Sequence, residues 1–348
     1  MNPQKQWSLD GHNSLGVHSV ADYGLVARSD AELIAAADWA TERNVPLTLL
    51  GGGTNVILGP RLPGLVVIVA SRGLAVARHA DSALITASAG EDWHSLVRFS
   101  IGQGLNGLQN MALIPGSVGA APIQNIGAYG AELADYCVDV EAYDLTSRRI
   151  CRLSAADCCF GYRDSCFKQR DRGRYLILSV RLRLPTHAHI PPAQARYGDI
   201  NRELEAMGIW QPTPALVAEA VCRVRRRKLP HPALLGNVGS VFKNPVVPRS
   251  EAETLQREMA DLIMHEHADG IRLSAAQLID RAGGKALSVH GSAVWPRQPL
   301  VLIQQQRAPA PTAQAFCELM SAIREKVADC YGIELETEPQ RLGDHSTL

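Results

Sequence analysis

The chain has 348 residues, is 46% hydrophobic, and balances 35 basic against 35 acidic residues for a net charge of zero. That length exceeds what one compact core holds, so two or three domains are expected, and the neutral balance implies no general attraction to nucleic acid or anionic membrane. No stretch approaches the ~20 apolar residues that span a bilayer, and Met1 to Asn13 is polar without an apolar signal core, so a soluble cytoplasmic chain with no membrane partner is expected.

In chain order, Asp30 to Arg43 reads as a helix capped by Ser29 or Asp30, and Pro46 to Leu50 as a buried strand. Leu65 to Ala70 is a second apolar run. Strand patterns then dominate to about residue 185, at Ala83 to Ser88, Val138 to Leu145 and Tyr175 to Leu184, interrupted by a helix over Asp92 to Gly102. The Pro- and Ala-rich stretch His187 to Tyr197 reads as a loop. Thr213 to Lys228 is a helix with Pro214 in its first turn and Pro230 beyond its end. Helices are expected near 250–263 and 312–331, the latter stopped by Gly332.

Three glycine-rich segments punctuate this pattern. Leu49 to Leu58 reads as a strand, the turn Gly51-Gly52-Gly53-Thr54-Asn55, then a second apolar strand. Leu113 to Gly130 contains Ile114, Pro115, Gly116, Ser117, Gly119, Ala120, Asn125 and Gly127, a run whose backbone N–H groups suit a pyrophosphate. Neither is a GxGxxG fingerprint or a P-loop, so the ordinary dinucleotide and NTPase folds are disfavoured. Gly236 to Pro245 sets Ser240 between Gly239 and β-type residues, where its Oγ can point into a cleft and exchange a proton. Taken alone, that segment reads as a tight turn entering a strand; with two other glycine cradles it points to a large phosphorylated ligand.

Other polar clusters read as structural. Arg223, Arg225, Arg226 and Arg227 lack the neighbouring clusters and aromatics of a nucleic-acid patch, and are expected to be a solvated helix end complementing the macrodipole. His265 and His267 have no further ligands near them in sequence and are expected at an exposed helix end, with no metal assigned. The eight cysteines, with Cys158 beside Cys159, form neither a CxxC pattern nor a disulfide framework.

From His12-Asn13-Ser14-Leu15-Gly16 to Leu335-Glu336-Thr337-Glu338, the chain resembles the UDP-N-acetylenolpyruvoylglucosamine reductases. The most specific matches are Gly161-Tyr162-Arg163-Asp164-Ser165, the segment 236–245 and the loop 114–130. The loop with Tyr197-Gly198-Asp199 is similar to the longer of the family's two subtypes.

The resemblance implies an α+β fold of three domains: a two-domain FAD-binding module of the PCMH/VAO type and a C-terminal α+β substrate-binding domain. Its parts are expected at 1–70 (completed by 332–348), 71–229 and 230–331. It implies non-covalent FAD, with Gly51, Gly52, Gly53, Thr54, Asn55, Ile114, Pro115, Gly116, Ser117, Gly119, Ala120, Asn125 and Gly127 around it. NADPH is implied as the hydride donor and a nucleotide sugar as the substrate, for a monomeric enzyme of peptidoglycan precursor synthesis.

Carried over position by position, Arg163 meets the charge developing on the substrate and Ser240 donates the proton. Glu338 makes a further contact in its protonated form. Tyr162, Tyr197, Lys228 and Asn244 bind substrate. The family's Glu-Pro-Glu-Val-Arg reads Glu336-Thr337-Glu338-Pro339-Gln340 here, which leaves Glu336 as the reserve carboxylate, and an Asn-Glu pair common in this subtype is replaced at Gln304-Gln305. The alternatives are a sugar- or alcohol-oxidising flavoenzyme of the same superfamily, a silent nucleotide-sugar sensor, and a non-enzymatic scaffold.

Overall fold

A computed structural model of the chain describes residues 1–186, 198–305 and 312–343. Contacts divide it into two units. The first comprises Met1–Trp7, Asp22–Gly52 and Pro63–Arg226; the second comprises Ser8–Ala21, Gly53–Leu62 and Arg227–Leu348.

The first unit is organised by two sheets. One orders Gln4–Ser8, Val20–Ala27, Arg61–Val69 and Leu47–Leu50 side by side, with the last two parallel. The helix Asp30–Glu42 starts at Ser29, whose Oγ accepts from the Glu32 N–H, and buries Leu33, Ala36, Ala37 and Ala40 against Leu65 and Val67. The other sheet is five-stranded and antiparallel, ordered Arg149–Ser154, Cys137–Asp144, Tyr175–Pro185, Ser82–Ser88 and Leu74–Arg78.

The long strand Tyr175–Pro185 serves two cores because it bulges. Its register against the neighbour steps from Glu141↔Ser179 to Ala142↔Ile177, leaving Leu178 as the extra residue. Before the bulge Leu176 and Leu178 join the helix Asp30–Glu42; after it Val180, Leu182 and Leu184, still even-numbered, face the opposite core with Ile177. One inserted residue flips the face, as the period of two requires. That second core also takes Trp93, Leu96 and Val97 from the helix Trp93–Gly102, and Val217, Val221 and Val224 from Pro214–Lys228.

The second unit is a set of small sheets and helices. Val56–Leu58 pairs in parallel with Gln340–Leu342, which ties the chain's end to its beginning. Val246–Val247, Gly270–Leu273 and Met264–His267 form one three-stranded sheet, and Ser288–Val289, Ser292–Val294 and Leu302–Gln304 another. The helix Ala313–Tyr331 is capped by Thr312 and ends at Gly332, whose φ of 69° explains the glycine.

Several elements depart from the sequence reading. The helix expected near 250–263 ends at Glu258, and His265 and His267 lie on the strand Met264–His267, not at a helix end. Helices Gly198–Ala206 and Ala275–Arg281 and strands Gln4–Ser8, Leu74–Arg78 and Arg149–Ser154 were not expected from pattern alone. The loop read at 187–197 lies outside the described residues. Among those described, no helix is long and apolar enough to cross a membrane.

Candidate active site

In the first unit two glycine loops press together. A Cβ on Gly51 would lie 2.2 Å from Ser117 Oγ, and one on Gly119 would lie 2.6 Å from the Ala89 Cβ, so only glycine permits the approach. The longer loop is anchored along its length. His94, whose pKa burial lowers, accepts from the Leu113 N–H at Nδ1, and Leu113 takes a φ of 57°. The Val118 and Gly119 N–H groups donate to the Glu91 and Ala89 carbonyls at 2.8 Å. Ile114 and Ala120 donate backward along the loop to Met111 and Ser117, and Pro115 is exposed.

What this leaves is a row of donors. The N–H groups of Gly51, Gly52, Gly116 and Ser117 donate to no described residue. Free N–H groups on two touching loops suit an anion with many acceptor oxygens. Together with the glycine-only packing at Gly51, this fits the pyrophosphate of FAD.

Asn125, expected among the flavin contacts, also bonds to the protein through its side chain. It donates to Glu132 Oε2 at 2.9 Å and the Gly161 carbonyl at 3.0 Å, and accepts from the Ala134 N–H at 2.9 Å. Its φ of 43° turns the chain into the short hairpin Gly127–Ala128 and Ala131–Glu132. Asn125 thereby couples this loop to the Gly161 turn, where Gly161 and Asp164 exchange backbone bonds. On that turn Arg163 sits at φ 53°, donates through Nη2 to the Gly127 carbonyl at 2.6 Å, and stacks 5.4 Å from the Tyr162 ring centroid. Lys168 holds the Arg163 carbonyl at 3.2 Å. A non-glycine residue kept in the left-handed region by three such contacts is a strained, over-determined position of the kind found at ligand sites.

The second unit carries Ser240 and Glu338. Gly239 adopts a φ of 76° and opens onto free space, since a Cβ there would meet nothing within 4 Å. The turn before it is pinned by the N-terminal segment. The Asn237 N–H donates to the Ser14 carbonyl at 3.0 Å, Ser14 Oγ donates to the Asn237 carbonyl at 2.6 Å, and a Cβ on Gly236 would strike the Leu15 carbonyl at 2.0 Å. Asn13 is buried and closes its own loop through Val17 and Leu9. The same segment backs Gly53: the Ser14 N–H donates to its carbonyl, and the His12 carbonyl leaves no room for a side chain. Thr54 and Asn55 follow, half-buried, and the Asn55 carbonyl accepts from Gln340.

Past the turn, Ser240 to Lys243 runs between two partners. Val241 donates to the Leu300 carbonyl on one side, and on the other it accepts from the Glu338 N–H at 2.8 Å. Glu338 therefore stands opposite Val241, one residue along from Ser240. Ser240 Oγ bonds to no described residue. Lys243 is buried and pairs at 2.6 Å with Glu336, whose own side chain is 69% exposed. The two carboxylates, two residues apart, thus differ: Glu336 is engaged by a lysine at the surface, and Glu338 is half-buried. Asn244 accepts through Oδ1 from the Ala275 N–H at the start of the helix Ala275–Arg281. Lys228 ends its helix half-buried, with its carbonyl held by Trp295 Nε1 at 2.8 Å. Tyr197 lies outside the described residues. Gln304, where the subtype pattern is broken, is buried and accepts from Ser292 Oγ at 3.1 Å.

Sequence reasoning missed the bracing role of His12–Gly16, the Lys243–Glu336 pair, and Arg225. The arginine cluster is solvated in part: Arg223 makes an exposed pair with Glu219, and Arg226 and Arg227 are exposed. Arg225 is not, and its Nε is buried. No motif signals that; only its place three residues past Cys222 on the helix's buried face does.

Comparison with known proteins agrees with this arrangement. Residues 21–153 match the family described as FAD binding domain, and residues 231–342 match the UDP-N-acetylenolpyruvoylglucosamine reductase, C-terminal domain. The UDP-N-acetylenolpyruvoylglucosamine reductase of Paraburkholderia phymatum is 42% identical, with 95% of each chain covered. That of Pseudomonas aeruginosa is 41% identical, covering 97% of this chain and 98% of its own. Among solved structures, the UDP-N-acetylenolpyruvylglucosamine reductase of Thermus caldophilus superposes with a TM-score of 0.66 at 21% identity, over 98% of this chain and 99% of that one.

Proposed function

The chain belongs to the UDP-N-acetylenolpyruvoylglucosamine reductase family and is an FAD-dependent oxidoreductase, and from that premise we propose its reaction in full. It reduces the enolpyruvyl ether of UDP-N-acetylglucosamine enolpyruvate to UDP-N-acetylmuramate, with NADPH as electron donor, in the synthesis of peptidoglycan precursor. It works as a cytoplasmic monomer on a small nucleotide sugar.

FAD, when bound, supplies the hydride that it has received from NADPH. The chain supplies the rest. The N–H groups of Gly51, Gly52, Gly116 and Ser117 hold the pyrophosphate, and Lys228, Asn244, Tyr162 and Tyr197 orient the substrate. Arg163, permanently charged and forked, faces the carboxylate and the charge that grows on it as the double bond is reduced. Ser240 Oγ gives its proton to one alkene carbon while the other carbon receives the hydride, and Glu338 completes the contacts around the reacting group. The electron pair of the C=C bond ends in the new C–H bond to that proton. A serine hydroxyl is a weak acid, so its neighbours must assist it.

The observation that carries this reading is the Ser240 hydroxyl itself, unbonded beyond a left-handed glycine on a pinned turn, with Glu338 held one residue along. The test is an anaerobic stopped-flow trace. NADPH should bleach the yellow flavin, and UDP-N-acetylglucosamine enolpyruvate should restore the colour rapidly. Bleaching without recovery would overturn the substrate assignment, and a protein that binds no FAD would overturn the whole reading.

A further inference from the structure

The start of the helix Trp93–Gly102 grips the loop 113–120 at several points. Trp93 Nε1 donates to the Met111 carbonyl at 3.1 Å, the Trp93 N–H donates to the Gly116 carbonyl at 3.0 Å, and the Glu91 carbonyl accepts from the Val118 N–H at 2.8 Å. Between them, His94 Nδ1 accepts from the Leu113 N–H at 3.0 Å. The first three bonds use backbone groups and an indole, which neither gain nor lose a proton near neutrality. The imidazole does.

Leu113 is the residue that most needs its fastening. It holds a φ of 57°, a region that a bulky residue enters only where its surroundings impose it. Three and four residues on lie Gly116 and Ser117, whose N–H groups donate to no described residue and suit the pyrophosphate. An N–H aimed at Nδ1 also fixes the tautomer: Nδ1 presents its lone pair, and the proton of the neutral ring sits on Nε2. A second proton would go to Nδ1 and set N–H against N–H.

The charged groups around the ring are Asp92 and Arg98 at its own helix, and Arg225 and Arg226 on the helix Pro214–Lys228. Burial lowers the His94 pKa from its ordinary 6.5, Asp92 opposes the shift, and the three arginines add to it. The bond to Leu113 is therefore fully present above that ordinary value and is lost as the pH falls through the lowered one.

We propose that His94 is a positioning residue for the cofactor: its neutral ring sets the pyrophosphate donors through the Leu113 N–H, and its protonated ring releases them. The proposal rests on the flavin reading above and adds to it an FAD affinity that is linked to one proton.

The test measures FAD dissociation constants by flavin fluorescence, from about pH 8 down to about pH 5, for wild type, H94N and H94F. Asn puts an amide oxygen where Nδ1 stands and does not titrate, whereas Phe fills the space and accepts nothing. Wild-type affinity should fall by about fivefold or more across the range, H94N should match wild type at the alkaline end and fall less, and H94F should be weak throughout. If H94N falls in parallel with wild type, or cannot replace it at the alkaline end, the proposal is overturned. The apoprotein gives a second readout, backbone hydrogen exchange over 111–118 by mass spectrometry, with wild type and H94N compared at the same pH. Faster exchange in wild type at the acid end alone supports the proposal, and equal exchange at both ends overturns it. Should H94F not fold, the comparison of wild type with H94N decides alone. A wild type that binds no FAD at any pH would sink the flavin reading, while the exchange measurement would still decide whether His94 governs the loop.

Discussion

The serine turn of the second unit and the flavin loop of the first are built from the same small residues, yet they leave opposite groups unbonded. At 236–240 the backbone is fastened by Ser14 and Gln304, and what stays unbonded is one side chain, Ser240 Oγ. At 113–120 the loop is fastened by His94, Ala89 and Glu91, and what stays unbonded is backbone, the N–H groups of Gly116 and Ser117. A site that moves one proton needs one aimed hydroxyl, and a site that holds a pyrophosphate needs several donors and no side chain in the way. Glycine serves both, through φ at Gly239 and through close approach at Gly51.

The hardest blow to the comparison is to remove the hydroxyl. Ser240→Ala should leave FAD binding and bleaching by NADPH intact while slowing recovery with the enolpyruvyl substrate by about 100-fold or more. Normal recovery in a stopped-flow trace would show that the proton comes from elsewhere. Next in size is the pair of carboxylates. Glu338→Gln should lower turnover by about 100-fold. Glu336→Gln should act chiefly on stability, because it leaves Lys243, whose side chain is only 11% exposed, without its partner. Steady-state kcat set beside a thermal melt for each variant decides this: a larger kcat loss in Glu336→Gln would reverse the two assignments.

Much of the fold was legible because its elements carry their own stops. Ser29, Asp92, Thr312 and Gly332 cap helices where the pattern placed helix ends. The boundary that failed, near 250–263, has no such residue: the helix ends at Glu258, and the following Met-His-Glu-His alternates weakly enough to pass as helix. The bulge at Leu178 was invisible because alternation over 179–184 follows an apolar run at 175–178 that favours neither face, and only pairing with Glu141 and Ala142 reveals the extra residue.

The candidate site divides in the same way. Segments with glycine at fixed spacing could be found from the sequence, whereas the residues that hold them could not. Asn125 was named for its place inside a ligand-like loop, and its side-chain bonds to Glu132, Gly161 and Ala134 could not be read from the sequence. Arg225 looked like a surface charge because it sits among surface charges. Side-chain direction on a helix follows from which face is buried, and a run of arginines hides that face from any hydropathy pattern.

A smaller effect probes the backbone side of the comparison. Gly51→Ala would set a methyl 2.2 Å from Ser117 Oγ and 3.2 Å from its Cβ, so the two loops must part slightly. Overpacking of this kind costs about 1–3 kcal/mol, and FAD retention should weaken by about tenfold or more. Adding Ser117→Gly removes the obstructing side chain and should restore much of the affinity. If the double variant binds FAD no better than Gly51→Ala, the loss does not arise from loop contact. Ser240-dependent chemistry, measured at saturating FAD, should be unaffected in both.

The mildest variant tests whether fastening the serine turn matters to function at all. Ser14 Oγ donates to the Asn237 carbonyl across 223 residues of sequence, and the Ser14 carbonyl accepts from the Asn237 N–H, so the two residues are bonded twice. Ser14→Ala removes one bond and keeps the other, which should lower stability by about 1 kcal/mol. If the brace only stabilises the fold, a modest fall in Tm is all that follows. If it aims Ser240, the recovery step slows several-fold while flavin bleaching by NADPH stays at its wild-type rate, because the flavin loop has its own anchors at His94, Ala89 and Glu91. Slowing of both steps together would mean that the two glycine segments are not independently braced, and the contrast drawn between them would fail.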